Sequence, residues 1–173
     1  LRVHPALLRH DHPVAGVGGA YNAVCIHGSH VGEIVLTGLG AGRMPTSSAV
    51  IADIARIALG TYRTDFAALS PFGDVPDAHL VPFAEVETRH YFRLDCADRP
   101  GVLAKVATIL GEENISIASV RQQEAAAPGE DVVPVVFMTY RAKEGAVARA
   151  LDRINQLDVV SGERTRMLRV EDI

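Results

Sequence analysis

Cysteine is scarce: Cys25 and Cys96 are the only two, far apart and each inside an apolar, strand-like run. That excludes a disulfide framework and points to a reducing compartment, so a cytoplasmic setting is expected. No block of like charge stands out, and the formal charge is −4. Nucleic acid is therefore not an expected partner. No apolar run approaches the roughly 18 residues needed to cross a bilayer, so no membrane partner is expected either. The opening LRVHPALLRHDHP lacks the apolar core of a signal peptide. No G-x-G-x-x-G follows a first strand, and the only lysines are Lys105 and Lys143.

What is present is ordinary for a globular protein: 173 residues, 48% hydrophobic and 22% charged. One or two domains with their own cores fit that length. The chain begins with Leu1 in what reads as mid-element, so a piece of a longer protein is expected.

Residues 20–28 (AYNAVCIHG) and 31–40 (VGEIVLTGLG) read as two strands. The Gly28-Ser29-His30 break between them predicts an antiparallel hairpin. Beyond the glycines of residues 38–42, Val50, Ile51, Ile54, Ile57 and Ala58 recur at helical spacing. Thr46 or Ser47 is the expected cap and Gly60 the expected stop. Residues 61–88 carry Pro71, Pro76 and Pro82 among scattered polar residues and read as an ordered linker.

Residues 89–173 have a cleaner grammar. Phe92, Leu94 and Cys96 alternate with Arg93 and Asp95, the pattern of a half-buried strand. Val102, Leu103, Val106, Ile109 and Leu110 form a helical stripe, with Pro100 fitting the first helical turn. Residues 115–120 read as a second strand and 121–130 as a Gly/Pro-containing turn. Residues 132–140 (VVPVVFMTY) form an apolar third strand expected to be central. Its full pairing should begin near or after Pro134, which has no N–H to donate. Val147, Leu151, Ile154 and Leu157 mark a second helix, and the stretch around Met167 to Val170 a fourth strand. The order is β-α-β-β-α-β, the ferredoxin-like split pattern, with two helices on one sheet face. The other face is expected to need a partner, hence dimerisation.

The loop CADRPGVL, residues 96–103, precedes the first of these helices. A helix N-terminus offers unpaired N–H groups and partial positive charge. The N–H groups of Gly101 to Leu103 can hold a carboxylate, and glycine at 101 permits close approach. Asp98 beside them suits an ammonium, and Asn114 after the helix offers both donor and acceptor. Together these describe a seat for an α-amino acid. The competing reading is structural: Asp98 caps the helix and Asn114 ends it.

The stretch YFRLDCADRPGVLAKVATILGEENISIASVRQ resembles an ACT domain, the small amino-acid-sensing module of biosynthetic enzymes. The resemblance runs over nearly all of residues 89–173. It implies an effector site lined by Asp98, Arg99, Pro100, Gly101, Val102, Leu103, Asn114 and Ile115, at a meeting of two modules. The first half narrows the family. Residues 1 to about 60, most sharply GLGAGRMPTSSAVIADI, resemble the later part of the homoserine dehydrogenase family.

The fold this implies is α+β: a partial mixed α/β catalytic-domain segment over residues 1–60, a linker over 61–88, and a ferredoxin-like ACT domain over 89–173. The family implies an enzyme that interconverts L-homoserine and aspartate semialdehyde with NADPH or NADH, controlled by feedback. The expected effector is L-threonine, and the hairpin is expected to belong to a dimer-forming sheet. Gly40, Ala41 and Gly42 are implied contacts to the nicotinamide half of the cofactor, although a tight strand-to-helix turn explains them equally. The family's catalytic lysines, acidic substrate ligands, cation ligands and dinucleotide turn lie upstream of residue 1. The chain alone is therefore expected to hold no catalytic residue, no bound cofactor and no activity.

Two other readings compete. One is a free-standing amino-acid-binding ACT module. The other is a small metal-dependent hydrolase built on the histidines. Cys25, His27 and His30 have metal-like chemistry but lack a fourth ligand, so no metal is expected. His4, His10 and His12 read as loop histidines. Ser47 and Ser48 lack a G-x-S-x-G elbow and read as capping residues.

Overall fold

The computed structural model describes residues 3–68, 80–122 and 131–171, without the side chains of residues 65, 66 and 162–164. Pro71, Pro76 and most of the turn expected over 121–130 lie outside the described residues. Contacts group the chain into two compact units, Leu1–Arg9 with Leu80–Ile173, and His10–His79. This grouping departs from the division at residues 60 and 89. Residues 1–9 join the second half because β1 (Ala6–Leu7) pairs in parallel with β8 (Val160–Val170).

In the unit of residues 10–79, β2 (Tyr21–Gly28) and β3 (Gly32–Leu39) form the expected antiparallel hairpin, in register from Tyr21↔Leu39 to Gly28↔Gly32. Helix α1 (Arg43–Leu59) follows, then the short α2 (Tyr62–Ala67). Helix α1 starts earlier than the sequence suggests. Gly42, at φ 124°, is its N-cap, with no side-chain cap bond. Pro45 supplies the fixed φ of the first turn, so Thr46 and Ser47 fall inside the helix rather than capping it. The helix ends where expected: Gly60 takes φ 71° and its N–H donates to the carbonyls of Arg56 and Ile57. Its apolar residues Val50, Ile51, Ile54 and Ile57 are all exposed.

The other unit contains β4 (Glu87–Ala97), α3 (Val102–Glu112), β5 (Ile117–Gln122), β6 (Val132–Thr139), β7 (Ala142–Lys143), α4 (Glu144–Ile154) and β8. The sheet runs β1-β8-β4-β6-β5, with β7 on the end of β4. Its four long strands give the expected split βαββαβ order, and the two-residue strands β1 and β7 extend it. Alternation along β4 sends His90, Phe92, Leu94 and Cys96 into the core. Phe92 and Phe137 are cross-strand partners whose rings stack 5.1 Å apart at 12°. Val102, Val106, Ile109 and Leu110 of α3 and Val147, Ala150, Leu151 and Ile154 of α4 close the core.

Three local expectations change. Leu103 does not join the helical stripe: it is 39% exposed. Pro100 precedes the N-cap, Gly101, instead of entering the helix, because Gly101 takes the left-handed conformation at φ 89°. Strand β6 pairs β4 through Pro134 to Val132, whereas its described pairing with β5 starts at Val135.

Candidate functional site

The N-terminus of α3 opens onto a cavity of about 330 Å3. Its wall contains the whole run Cys96, Ala97, Asp98, Arg99, Pro100, Gly101, Val102 and Leu103. The left-handed turn at Gly101 bends the chain from β4 into α3 and leaves nothing within 4 Å of where a Cβ would stand. No described acceptor takes the N–H of Gly101 or Val102. These are the orphan donors of a helix start, at the positive end of its dipole. The exposure of Leu103 has the same origin: the residue faces the cavity instead of the core.

Asp98 stands beside these donors. Its backbone N–H donates to Asp131 O at 2.9 Å, which fixes the loop, and its Oδ1 accepts from Gln122 Nε2 at 3.2 Å. Asp98 therefore does not act as the helix cap; that place belongs to Gly101. Arg99 lines the cavity, but its guanidinium reaches Asp158 at 3.1 Å, which Lys105 also holds at 3.2 Å. Lys105 first, then Arg99, hold the Asp158 carboxyl below its ordinary range. The cavity wall thus holds both unpaired N–H groups and a carboxylate.

Sequence reasoning missed four lining residues: Cys96, Ala97, Gln122 and Val135. The strand register brings in the last two, since Gln122 pairs Val135 and so shares the helix-facing side of the sheet. Burial, and then Asp95, raise the pKa of the Cys96 thiol, so it is a neutral wall rather than a nucleophile. Asn114 and Ile115 are not among the cavity's lining residues. Asn114 takes φ 58° just past α3, the helix-ending conformation, and Ile115 is buried with its N–H on Leu110 O.

Comparison with known proteins fits this geometry. A family model described as homoserine dehydrogenase matches residues 1–55, and one described as ACT domain matches residues 90–159. A homoserine dehydrogenase of Pseudomonas aeruginosa is 37% identical over 177 residues, covering 100% of this chain and 40% of the relative. One from Synechocystis is 35% identical, covering 92% of this chain and 37% of the relative. The crystal structure of a homoserine dehydrogenase from Thiobacillus denitrificans superposes with a TM-score of 0.76 at 34% identity, covering 99% of this chain and 38% of that one. The chain belongs with the C-terminal part of the homoserine dehydrogenases. It spans about two fifths of the length of the curated relatives it matches, 40% of one and 37% of another.

Other features of this homoserine dehydrogenase segment have local explanations. Gly40 donates its N–H to Ala20 O at 2.8 Å, and a Cβ there would fall 1.8 Å from the Asn22 side chain. A side chain at position 40 would have to displace that of Asn22. Gly40, Ala41 and Gly42 are exposed and lead into the N-terminus of the 17-residue α1. Exposed backbone at a helix start fits a dinucleotide's polar edge.

The metal-like residues regroup. His27 and His30 do not join Cys25; His12, Cys25 and Glu33 do, with ligand atoms within 4.8 Å of one another. His12 is a loop histidine, as expected, and is buried. Its Nδ1 accepts the Val14 N–H at 3.2 Å, so Nε2 carries the proton and donates to Glu33 at 3.3 Å. A ring nitrogen that bears a proton has no lone pair for a metal. This tautomer argues for a hydrogen-bonded cluster.

A second polar cluster, which sequence reasoning did not find, lies inside the ACT unit. Glu144 and Arg169 are buried and meet in a fork, at 2.5 Å and 2.6 Å. His90, fully buried, adds its Nε2 to Glu144 Oε1 at 3.1 Å, and Thr88 donates to the same oxygen at 3.2 Å. Burial alone would raise the Glu144 carboxyl, but Arg169 and then His90 outweigh it and hold it below its ordinary value. Burial lowers the His90 ring, against the pull of Glu144.

Proposed function

We propose that this chain is the regulatory C-terminal portion of an NAD(P)-dependent homoserine dehydrogenase, and that it senses L-threonine. The parent enzyme would interconvert L-homoserine and L-aspartate 4-semialdehyde in the biosynthesis of threonine, methionine and isoleucine. The observation that carries the reading is the α3 cavity, whose wall holds both the unpaired N–H groups of Gly101 and Val102 and the Asp98 carboxylate. An α-amino acid carries the two complementary charges. Its carboxylate accepts from the N–H groups, and its ammonium donates to the oxygen of Asp98 that Gln122 leaves open.

Feedback control follows if the effector binds two states of the enzyme differently, typically by about 1–3 kcal/mol. Homo-oligomers would form through the hairpin and through the ACT sheet, where β5 is the end strand among the described residues. A partner's edge beside β5 would bring further residues to the cavity near Gln122, Asn114 among them. The cell compartment would be the cytoplasm. In the complete enzyme Gly40, Ala41 and Gly42 would contact the nicotinamide half of the cofactor. The chain itself would not transfer hydride. Its two lysines are engaged on the ACT surface, Lys105 with Asp158 at 3.2 Å and Lys143 with Glu85 at 2.6 Å.

Calorimetry with threonine, isoleucine, methionine and lysine tests the reading. One saturable ligand, threonine, is expected, and Asp98→Ala should weaken it by about ten- to a hundredfold, the worth of one charged hydrogen bond. Equal binding by both proteins would remove Asp98 from the site. Homoserine oxidation by the chain alone would contradict the assignment of catalysis to other segments.

A further inference from the structure

Four arginines occupy the face of the ACT sheet that the helices leave open. On β4, His90, Phe92, Leu94 and Cys96 point into the core, so Arg89, Tyr91, Arg93 and Asp95 point the other way. The strand register then places Arg121, Val136, Arg93 and Arg166 in one row across β5, β6, β4 and β8. Arg93 and Arg166 are direct cross-strand partners, a like-charge pair that destabilises a sheet. Neighbouring strands lie about 4.8 Å apart, so the row spans roughly 14 Å. Two described acids of β4 share this face: Asp95, 3.4 Å from Arg93, and Glu87, at the start of the strand and six residues from Arg93. Arg121 and Arg166 are exposed and have no hydrogen-bond or acidic partner among the described residues.

Between two of these arginines the face is dented. A depression of about 190 Å3 is lined by Tyr91, Arg93, Arg121, Pro134 and Val136. Pro134 and Val136 give it an apolar floor, Tyr91 an aromatic wall, and the two arginines charged rims. Concentrated positive charge is unexpected in a chain of net charge −4. A second copy stacked on this face would add positive charge to positive charge, whereas an anion relieves the repulsion.

We propose that this face binds a phosphate-bearing small molecule. The phosphate sits between Arg93 and Arg121, and the organic part lies against Tyr91, Pro134 and Val136. A tetrahedral phosphate presents acceptors to two guanidinium forks approaching from opposite sides, which a planar carboxylate does less well. The site lies on the opposite face of the sheet from the helices and is independent of the amino-acid cavity.

Calorimetry at low salt tests it, with inorganic phosphate, pyrophosphate and AMP as probes. AMP should bind saturably and more tightly than inorganic phosphate. Arg121→Ala and Arg93→Ala should each weaken AMP at least about tenfold, with Arg121→Lys intermediate and threonine binding unchanged. Pyrophosphate should follow the same order among the variants. Absence of saturable binding by all three probes, or equal AMP binding by wild type and Arg121→Ala, would overturn the site. AMP no tighter than inorganic phosphate would overturn the seat for the organic part. Thermal melts of Arg121→Ala should match wild type, so that its loss of binding is read as loss of contact.

Discussion

The unit formed by residues 80–171 hides its large apolar side chains, whereas the unit of residues 10–68 displays them. Phe92, Phe137, Val106 and Ile154 are all at most 1% exposed, while Val50, Ile51, Ile54 and Ile57 on α1 range from 53% to 67%. The apolar stripe is less concentrated on one face of α1 than of α3 or α4. The partner differs too: α3 and α4 have a sheet beneath them, and α1 has none among the described residues. A helix earns its stability from the face it buries, not from its pattern alone. The same contrast separates charge. The ACT unit buries Glu144 and Arg169 as a satisfied fork, and among the described residues of the hairpin unit His12 is the one buried polar side chain.

The largest effect should come from opening the ACT core. Phe92→Ala removes a stacked ring from a filled interior and should cost about 3–5 kcal/mol in urea unfolding followed by circular dichroism. Ile54→Ala on α1 should fall within about 0.5 kcal/mol in the same assay. Equal costs would break the comparison. Repeating Ile54→Ala in a complete homoserine dehydrogenase sharpens it, since a cost of about 2–5 kcal/mol there would show that the stripe is a buried face of the whole enzyme.

The buried fork comes next. Arg169→Ala leaves the Glu144 carboxylate buried without its partner and should destabilise by about 3–5 kcal/mol. Arg169→Ala combined with Glu144→Gln should recover part of that loss. A double variant no better than the single one would contradict the assigned role of the charge.

The smallest effect is the response to acid. The folded state keeps His90 neutral, while the unfolded chain takes up a proton below about pH 6.5. The folded state also keeps Glu144 ionised below the point, about pH 4.3, where the unfolded chain protonates it. In both cases the unfolded state binds more protons, so stability falls on acidification. It should begin to fall as the pH drops below about 6.5, and fall again near the ordinary carboxylate range. Urea midpoints between pH 7 and 5 should decline for wild type and decline less for His90→Gln. Parallel profiles would remove His90 from the account.

Much of this was legible in the residues, and the failures have physical causes. The split βαββαβ order followed from two periodicities, 2 on the strands and 3.6 on the helices. The Asp98 to Leu103 run also gathered at one cavity, because contiguous residues around one turn have little freedom to disperse. Gln122 was missed because its membership depends on pairing with Val135, a fact of register rather than of local pattern. Leu103 was misread because a helix start can spend an apolar residue on a ligand cavity. Thr46 and Ser47 were outcompeted as caps by Gly42, whose positive φ sets the helix start. The His90, Glu144 and Arg169 cluster joins residues 54 and 25 positions apart, beyond the reach of any local rule.

The central claim is that the backbone at the start of α3, with Asp98 in the same cavity wall, seats a zwitterion. An amide-resolved NMR titration of the chain with L-threonine tests it most directly. The account predicts that the Gly101 and Val102 amide signals shift together and saturate with one dissociation constant, and that these shifts vanish in Asp98→Ala. Saturable shifts confined to other parts of the chain, or none at these two amides, would contradict it.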